Sequence, residues 1–326
     1  MKKMKVDKIF IGTRGSKLAL CQAEWVKSEL QRIHQGIEVE INKIKTTGDK
    51  ILDVPLAKIG WKGLFVKEIE ESLLRGKIHI AVHSMKDMPT DLPDGLHIAA
   101  ICKREDPRDA FVSRLRNARF EIQNINNLPQ GAKVGTSSLR RSCQLLNIRP
   151  DLHIMQLRGN LDTRLRKLDE EQFEAIIVAV AGMKRLGFTK RITEILEPHI
   201  FLPAIGQGAI GIECRADNEA INAIVGTLNH RETSISIRAE RAFLKRLGGG
   251  CQVPIAAHAR IEQKAKGKEQ RLLIMDGLVG SVSGDKIVKG HIEGRSKEAE
   301  SLGERLAEDL LSRGAKEILE EVYQIS

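Results

Sequence analysis

The chain has 326 residues, about twice an ordinary domain, so two or three domains and a sizeable core are expected. Hydrophobic residues at 41 % and charged residues at 29 % are ordinary globular values, and 28 Gly with 9 Pro are too few for a fibrous or low-complexity chain. The net charge of +10 points to an anionic partner: nucleic acid, acidic lipid, or a carboxylate- or phosphate-bearing metabolite.

In chain order, short β-branched runs alternate with helical periodicity through the first two thirds. This predicts α/β layers on largely parallel sheets. Strands are expected at 9–12, 38–44, 78–83, 96–102, 110–113, 133–135, 153–156 and 175–179, with helices at 18–33, 65–75, 139–146 and 161–168. The last third reads as a smaller α+β domain, with consecutive strands at 255–261, 271–279 and 287–292 forming an antiparallel sheet and helices at 234–247 and 297–312. Punctuation at 103–109, 197–208 and 228–233 suggests the boundaries.

The longest uncharged apolar stretch, 175–183, is under half of the roughly 20 residues that span a bilayer, so no membrane crossing is expected. The basic start MKKMKVDKIFIG has only residues 9–11 as an apolar run before Gly12, too short for a signal peptide, which predicts a cytoplasmic protein. Cysteines at 21, 102, 143, 214 and 251 are odd in number and no two lie closer than 37 residues, so neither a disulfide framework nor a metal site is expected. The scarcity of aromatics (Trp 2, Tyr 1, Phe 8) argues against stacking on single-stranded nucleic acid.

Several predicted strand–helix junctions share one signature, Gly or Ser/Thr followed by basic residues: GTRGSKLAL (12–20), HSMKDMP (83–89), VGTSSLRR (134–141), LRGNLDTR (157–164) and AGMKRLG (181–187). Helix N-termini with hydroxyls and guanidiniums make anion cradles, and Arg matches carboxylates in bidentate pairs. Plain helix capping and a solvated basic face are the alternative readings. Residues 133–191 hold 12 basic against 6 acidic residues, an excess that caps alone do not need. Asp87, at the end of a predicted strand beside Lys86, is placed for proton transfer in a partly desolvated setting, or is a mere cap or salt-bridge partner. Cys251, in LGGGCQVP, sits in a glycine-freed and accessible loop, fit for a nucleophile or an attachment point. The other cysteines read as small core residues.

Taken together, TRGSKLAL (13–20), KGLFVKEIE (62–70), AVHSMKDMP (81–89), CKREDPRDAFVS (102–113), VGTSSLRRSCQL (134–145), LRGNLDTRLRKLD (157–169), AVAGMKRLG (179–187), LPAIGQGAIGIECR (202–215) and GGGCQVPIAAHA (248–259) resemble the hydroxymethylbilane synthase, or porphobilinogen deaminase, family. Trp61, where a small residue is expected, and a long charged stretch within 259–272 are the departures.

The resemblance implies two lobes like those of periplasmic binding proteins, flanking a cleft, plus a small C-terminal domain with an antiparallel sheet. The implied domains are 1–104 with 203–228, then 105–202, then 229–326 carrying the attachment cysteine. It implies a transferase of tetrapyrrole (porphyrin, haem) biosynthesis that joins four porphobilinogen molecules with loss of ammonia on a dipyrromethane cofactor, then releases 1-hydroxymethylbilane by hydrolysis. By motif position the cofactor is held by a thioether to Cys251, and Asp87 is catalytic. Cofactor or substrate contacts fall to Arg14, Ser16, Lys62, Phe65, Ser84, Lys86, Thr136, Ser137, Ser138, Arg140, Arg141, Arg158, Asn160, Arg164, Arg185, Gln207 and Ala209. The expected partner is the small-molecule substrate porphobilinogen, with no nucleic acid and no membrane, and the expected state is a monomer. Two rival readings remain: an anion-binding protein with the same lobes but no chemistry, which leaves Cys251 without a purpose, and a nucleic-acid binder, which lacks stacking residues.

Overall fold

The computed structural model describes residues 6–50, 66–114, 122–249, 253–263 and 271–325. In chain order the first elements are β1 (Lys8–Arg14), α1 (Lys17–Ile33), β2 (Glu38–Ile44), α2 (Thr47–Lys50), α3 (Lys67–Leu74), β3 (Ile80–Ser84) and β4 (Leu96–Ile101). Next come β5 (Asp109–Ser113), β6 (Lys133–Gly135), α4 (Leu139–Ile148), β7 (His153–Met155), α5 (Leu161–Asp169), β8 (Ala175–Ala179), α6 (Val180–Arg185) and β9 (Glu194–Leu196). The chain continues with β10 (Ile210–Arg215), α7 (Glu219–Gly226), α8 (Arg231–Arg246), β11 (Ile255–Gln263), β12 (Arg271–Gly280), β13 (Ile287–Arg295), α9 (Ala299–Leu310) and α10 (Lys316–Ile325). Two compact units result: Met1–Glu105 with Ala209–Ser234, and Asp106–Gly208 with Ile235–Ser326.

The first unit is built on a sheet of order β2-β1-β3-β10-β4, in which only β10 runs against its neighbours. Helix α1 buries Ala23, Val26 and Leu30, at helical spacing, against Ile9, Ile11 and Ile80 of the sheet. Gly12 lets Ile78 pack close on β1: a Cβ there would stand 2.3 Å from Ile78 Cδ1, so that side chain would have to move.

The second unit repeats the plan with β7-β6-β8-β5-β9, the reversed strand now being β5. In both sheets the reversed strand is the first one laid down after the chain enters that unit, β5 after Asp106 and β10 after Ala209. The two sheets therefore share a topology without a visible sequence repeat. The core of this lobe centres on Phe111, Val134, Leu145, Ile177 and Phe201.

The same unit holds the antiparallel sheet β11-β12-β13. One face is covered by α8, α9 and α10 through Phe243, Leu302, Leu306 and Leu319. Its other face joins the lobe, where Ala256 and Leu278 pack on Cys143 and Leu202. The turn from β12 to β13 rests on α4: Asn147 Nδ2 donates to Gly284 O at 3.0 Å, and a Cβ on Gly284, at φ +75, would meet Cys143 O at 2.5 Å. Among the described residues no helix is long and apolar enough to cross a membrane.

Strands β9 and β10 and helices α2, α7 and α10 were not foreseen from the sequence. Strand β10 follows two positive-φ glycines, Gly206 and Gly208, and carries Glu213 into a buried position.

Candidate active site

In a parallel sheet the loops leaving neighbouring strands gather at one edge. β1 and β3 are such neighbours in the first lobe, and their loops carry Arg14, Ser16, Ser84, Lys86 and Asp87. Ser16 caps α1, its Oγ accepting from Ala19 N at 3.3 Å, and Arg14 beside it is half-buried. Gln22 Nε2 of α1 donates to Ser84 Oγ at 2.9 Å, tying the end of β3 to that helix.

Residues Met85–Asp87 then form a single 3-10 turn. Met85 N donates to Ala209 O at 3.0 Å and Met88 N to Met85 O at 3.3 Å. Met85 is buried so closely on β10 that a Cβ on Gly211 would lie 2.3 Å from its Sδ. The turn is thus fastened on both sides, and Asp87, its last residue, is exposed. It accepts no hydrogen bond and joins no ion pair among the described residues. This corrects the expectation of partial desolvation, because the turn projects the side chain past the strand end. Ser84, not Asp87, holds the N-cap position of this turn. Lys86 is half-buried. Ala209, expected at a ligand, is buried, and its carbonyl instead anchors the Asp87 turn.

Behind this turn lies a cluster that sequence reasoning missed. His83 Nε2 on β3 stands 3.0 Å from Glu213 Oε2 on β10, with side chains 5 % and 0 % exposed. Glu70 of α3 is buried nearby; burial first and the Glu213 charge second push its carboxyl up to about 7, with His83 opposing. Glu70 Oε1 and Glu213 Oε1 are both buried without a hydrogen-bond partner among the described residues. The available signal was Glu213, an acid inside the apolar run IGIECR; Glu70, in the charged KEIEESLL, gave none.

In the second lobe, β6 lies between β7 and β8, all parallel, so the loops after these strands again share an edge. Thr136 is buried and its N–H donates to Met155 O at 2.9 Å. Ser137 Oγ donates to Leu157 O at 2.9 Å and accepts from Leu157 N at 3.0 Å. Ser138 caps α4, with Arg141 N donating to its Oγ at 3.4 Å.

Arg140 and Arg141 were expected to meet ligand carboxylates, and the structure gives them another partner. Asp109, fully buried at the start of β5, accepts from Arg140 Nη1 at 2.6 Å and from Arg141 Nη2 and Nε at 2.7 and 3.1 Å. Burial alone would raise the Asp109 carboxyl; the two guanidiniums outweigh it and hold the group far below the usual carboxylate range. Gln207, also buried, donates from Nε2 to Asp109 Oδ1 at 3.0 Å and to Pro107 O at 2.7 Å, so it secures the entry to β5. Arg140 Nη1 also donates to Leu202 O and Arg141 Nη1 to Ile177 O, at 2.9 and 3.0 Å. Sequence spacing hides this cluster because Asp109 is far from both arginines along the chain, although the motif DAFVS, an acid opening an apolar strand, was its signal.

Around it, Arg158, Arg164 and Arg185 are half-buried and Asn160 is exposed. Gly159, at φ +110, makes the turn into α5, where a Cβ would lie 2.7 Å from Thr163 Cγ2. Arg164 Nε donates to Gly159 O, and Arg185 Nη2 to Gly208 O, each at 2.8 Å. Lys62, Phe65 and Cys251 lie outside the described residues.

Both edges suit a ligand bearing several carboxylates. Partly buried guanidiniums keep enough solvent access to receive one, and buried Arg140 Nε has no acceptor among the described residues, a donor that a ligand carboxylate would satisfy. Residues 9–223 match the family model "porphobilinogen deaminase, dipyromethane cofactor binding domain", and residues 234–312 match the porphobilinogen deaminase C-terminal domain. The chain is 57 % identical over 314 residues to a porphobilinogen deaminase of Pelobacter propionicus, covering 96 % of this chain and 97 % of that protein. It is 55 % identical over 321 residues to one of Geobacter sulfurreducens, covering 98 % and 96 %. Among solved structures, a probable amino-acid ABC transporter extracellular-binding protein of Bacillus subtilis aligns at TM-score 0.43 and 14 % identity over 69 % of this chain and 90 % of that one.

The class so defined is a transferase of tetrapyrrole biosynthesis, carried on two α/β lobes with an added antiparallel sheet. It contains a dipyrromethane-cofactor-binding domain and acts on a small molecule. The chain belongs to the porphobilinogen deaminase family.

Proposed function

We propose that Asp87 is the catalytic carboxylate of this porphobilinogen deaminase and that Cys251 holds the dipyrromethane by a thioether. Substrate and cofactor carboxylates are then held by Arg14, Ser16, Ser84, Lys86, Thr136, Ser137, Ser138, Arg158, Asn160, Arg164 and Arg185, and Lys62 and Phe65 make further contacts to substrate or cofactor. Arg140 offers its spare Nε to the same ligands, while Arg141, Gln207 and Ala209 position the frame. When bound, the dipyrromethane supplies the pyrrole carbon to which the first unit is joined. The third sheet belongs in this reading to a domain of its own, 229–326, beside 1–104 with 203–228 and 105–202. The protein acts as a cytoplasmic monomer.

One observation carries the assignment: Asp87 is an exposed anion, without a hydrogen-bond or ion-pair partner among the described residues, on a firmly fastened turn beside a cation-rich strand edge. A protein that only bound carboxylates would gain nothing from it, since a bare carboxylate repels such a ligand. For a reaction that expels ammonia from porphobilinogen it is well placed. The pyrrole N–H donates to Asp87, and the contact strengthens as positive charge develops on the ring, so the transition state is favoured over the ground state. The arginines hold the acetate and propionate arms and fix the ring over that carboxylate.

The test is single-turnover incorporation of labelled porphobilinogen into cofactor-loaded Asp87→Ala. Elongation should be lost while the unfolding midpoint stays at the wild-type value, because an exposed and unpaired side chain supports no packing. Complexes forming at the wild-type rate would remove Asp87 from the chemistry.

A further inference from the structure

Behind the Asp87 turn, one face of the first lobe's sheet buries three titratable side chains that the proposed chemistry leaves unused. Strand register places two of them. His83 on β3 lies opposite Gly211, and Glu213 lies opposite Ala81, on antiparallel β3 and β10, so His83 and Glu213 are diagonal neighbours on one face. His83 Nε2 and Glu213 Oε2 meet at 3.0 Å, both side chains buried. Helix α3 covers this face, seating Ile69 and Leu73 against Ile78, Ala81 and Leu96, and so brings Glu70 down onto the pair.

The cluster is short of donors. One imidazole serves two carboxyl groups, and Glu70 Oε1 and Glu213 Oε1 are both buried without a hydrogen-bond partner among the described residues. The elements around it supply no cation to spare. Strand β4 turns Leu96 and Ile98 to this face. On β1, Lys8 is taken by Glu38 and Glu40, and Arg14 stands at the strand edge. Arg215, at the end of β10, pairs with Asp217 at 3.1 Å, and His79 Nδ1 accepts from Phe10 N. Along α3 itself, Glu68 accepts from Thr47 N, Arg75 pairs with Glu71, and Lys67 is exposed. Burial, and after it the Glu213 charge, already push the Glu70 carboxyl up to about 7.

What the pair controls follows from β10. Ala209, one residue before that strand, accepts from Met85 N, and Met85 Sδ fills the space at Gly211 so closely that a Cβ there would lie 2.3 Å away. Gly211 is the residue opposite His83. The His83–Glu213 contact therefore fixes β10 against β3 at the point where the Asp87 turn leaves the sheet.

Resting on the assignment of the chemistry to Asp87, we infer that His83 and Glu213 are positioning residues that hold the Asp87 turn on β10, and that Glu70 must be uncharged for them to do so. Loss of the Glu70 proton puts a second carboxylate against the first, weakens the grip of His83 on Glu213 and lets the turn shift. Asp87 is then misplaced, while the arginines of the second lobe still hold substrate.

The test measures kcat and KM across pH for cofactor-loaded wild type, Glu213→Gln, Glu70→Gln and Asp87→Ala, with hydrogen exchange of the peptide 80–90 and the unfolding midpoint on the same samples. Glu213→Gln and Glu70→Gln are both isosteric, so a purely packing role would make the two variants alike. In Glu213→Gln, kcat should fall about tenfold or more at unchanged KM, with faster exchange at the Met85 amide. Glu70→Gln should keep wild-type kcat and exchange, and hold both to higher pH than wild type does, because a carboxamide reproduces the neutral acid. Wild-type kcat in Glu213→Gln would overturn the inference. So would a Glu70→Gln profile that falls together with wild type on the alkaline side, a result that decides the matter even where Glu213→Gln does not fold. Elongation at the wild-type rate in Asp87→Ala would overturn the Asp87 reading and this inference with it, whereas an inactive Asp87→Ala beside a fully active Glu213→Gln overturns the inference alone.

Discussion

Replacing Arg141 by leucine separates two roles that the sequence merges. If Arg141 were a ligand contact alone, the change would weaken binding and leave stability untouched. The structure gives a different outcome. The side chain is 6 % exposed and supplies two hydrogen bonds to Asp109 and one to Ile177 O. Removing one member of a buried ion pair costs about 3–5 kcal/mol; Asp109 retains Arg140 and Gln207, which puts the loss near the lower end. The orphaned Ile177 carbonyl adds about 1 kcal/mol. A total of about 4 kcal/mol is a large share of ordinary stability, and it corresponds to a fall of about 1–2 M in the urea midpoint of the second unit. Arg158→Leu is the control, since a half-buried arginine on the edge loop should alter KM and cofactor loading with a midpoint shift below about 0.3 M. Urea unfolding followed by circular dichroism, with cofactor content measured on the same samples, checks both. An Arg141→Leu protein with a wild-type midpoint but no cofactor would refute the structural role given to the Asp109 cluster.

Two other outcomes follow from the same geometry. Glu70 has its folded carboxyl raised from 4.5 to about 7, so the folded state holds the extra proton between those values; its contribution is fully present below about pH 4.5 and lost as pH rises through 7, an effect of about 3 kcal/mol. Glu70→Gln should flatten that part of the stability curve and be more stable than wild type at pH 8 in thermal unfolding, and a curve parallel to wild type would contradict the burial of the charge. Gly284→Ala forces a Cβ into Cys143 O at a positive φ, so it should lower stability by about 2 kcal/mol or more and loosen hydrogen-exchange protection in α4; unchanged protection there would show that the β12–β13 turn does not brace the helix.

Much of the fold was legible in the sequence, because period and punctuation are local properties. The run 38–44 is β2 as expected, 133–135 is β6 and 175–179 is β8, each an apolar or alternating stretch bounded by turn residues. The antiparallel character of the last third was readable from consecutive strands with no helix between them. What escaped depends on partners distant in the chain. β10 looks like a loop until β3 and β4 flank it. The pairing of Arg140 and Arg141 with Asp109, and the burial of Glu70 beside Glu213 and His83, need the folded sheet to bring them together. Asp87 was readable as a candidate because a carboxylate at a strand end is local, but its exposure and its lack of a partner among the described residues were not, since both follow from the 3-10 turn that Ala209 fastens.

The central claim, a covalent primer on Cys251 in an enzyme of this family, is most directly tested by the intact mass of the purified protein, followed by peptide mapping. The account predicts a mass above that of the chain by one dipyrromethane unit, located on the peptide containing Cys251 and absent from an inactive Cys251→Ala protein. An active enzyme with the bare chain mass, or with the addition on Cys21, Cys102, Cys143 or Cys214, would contradict it.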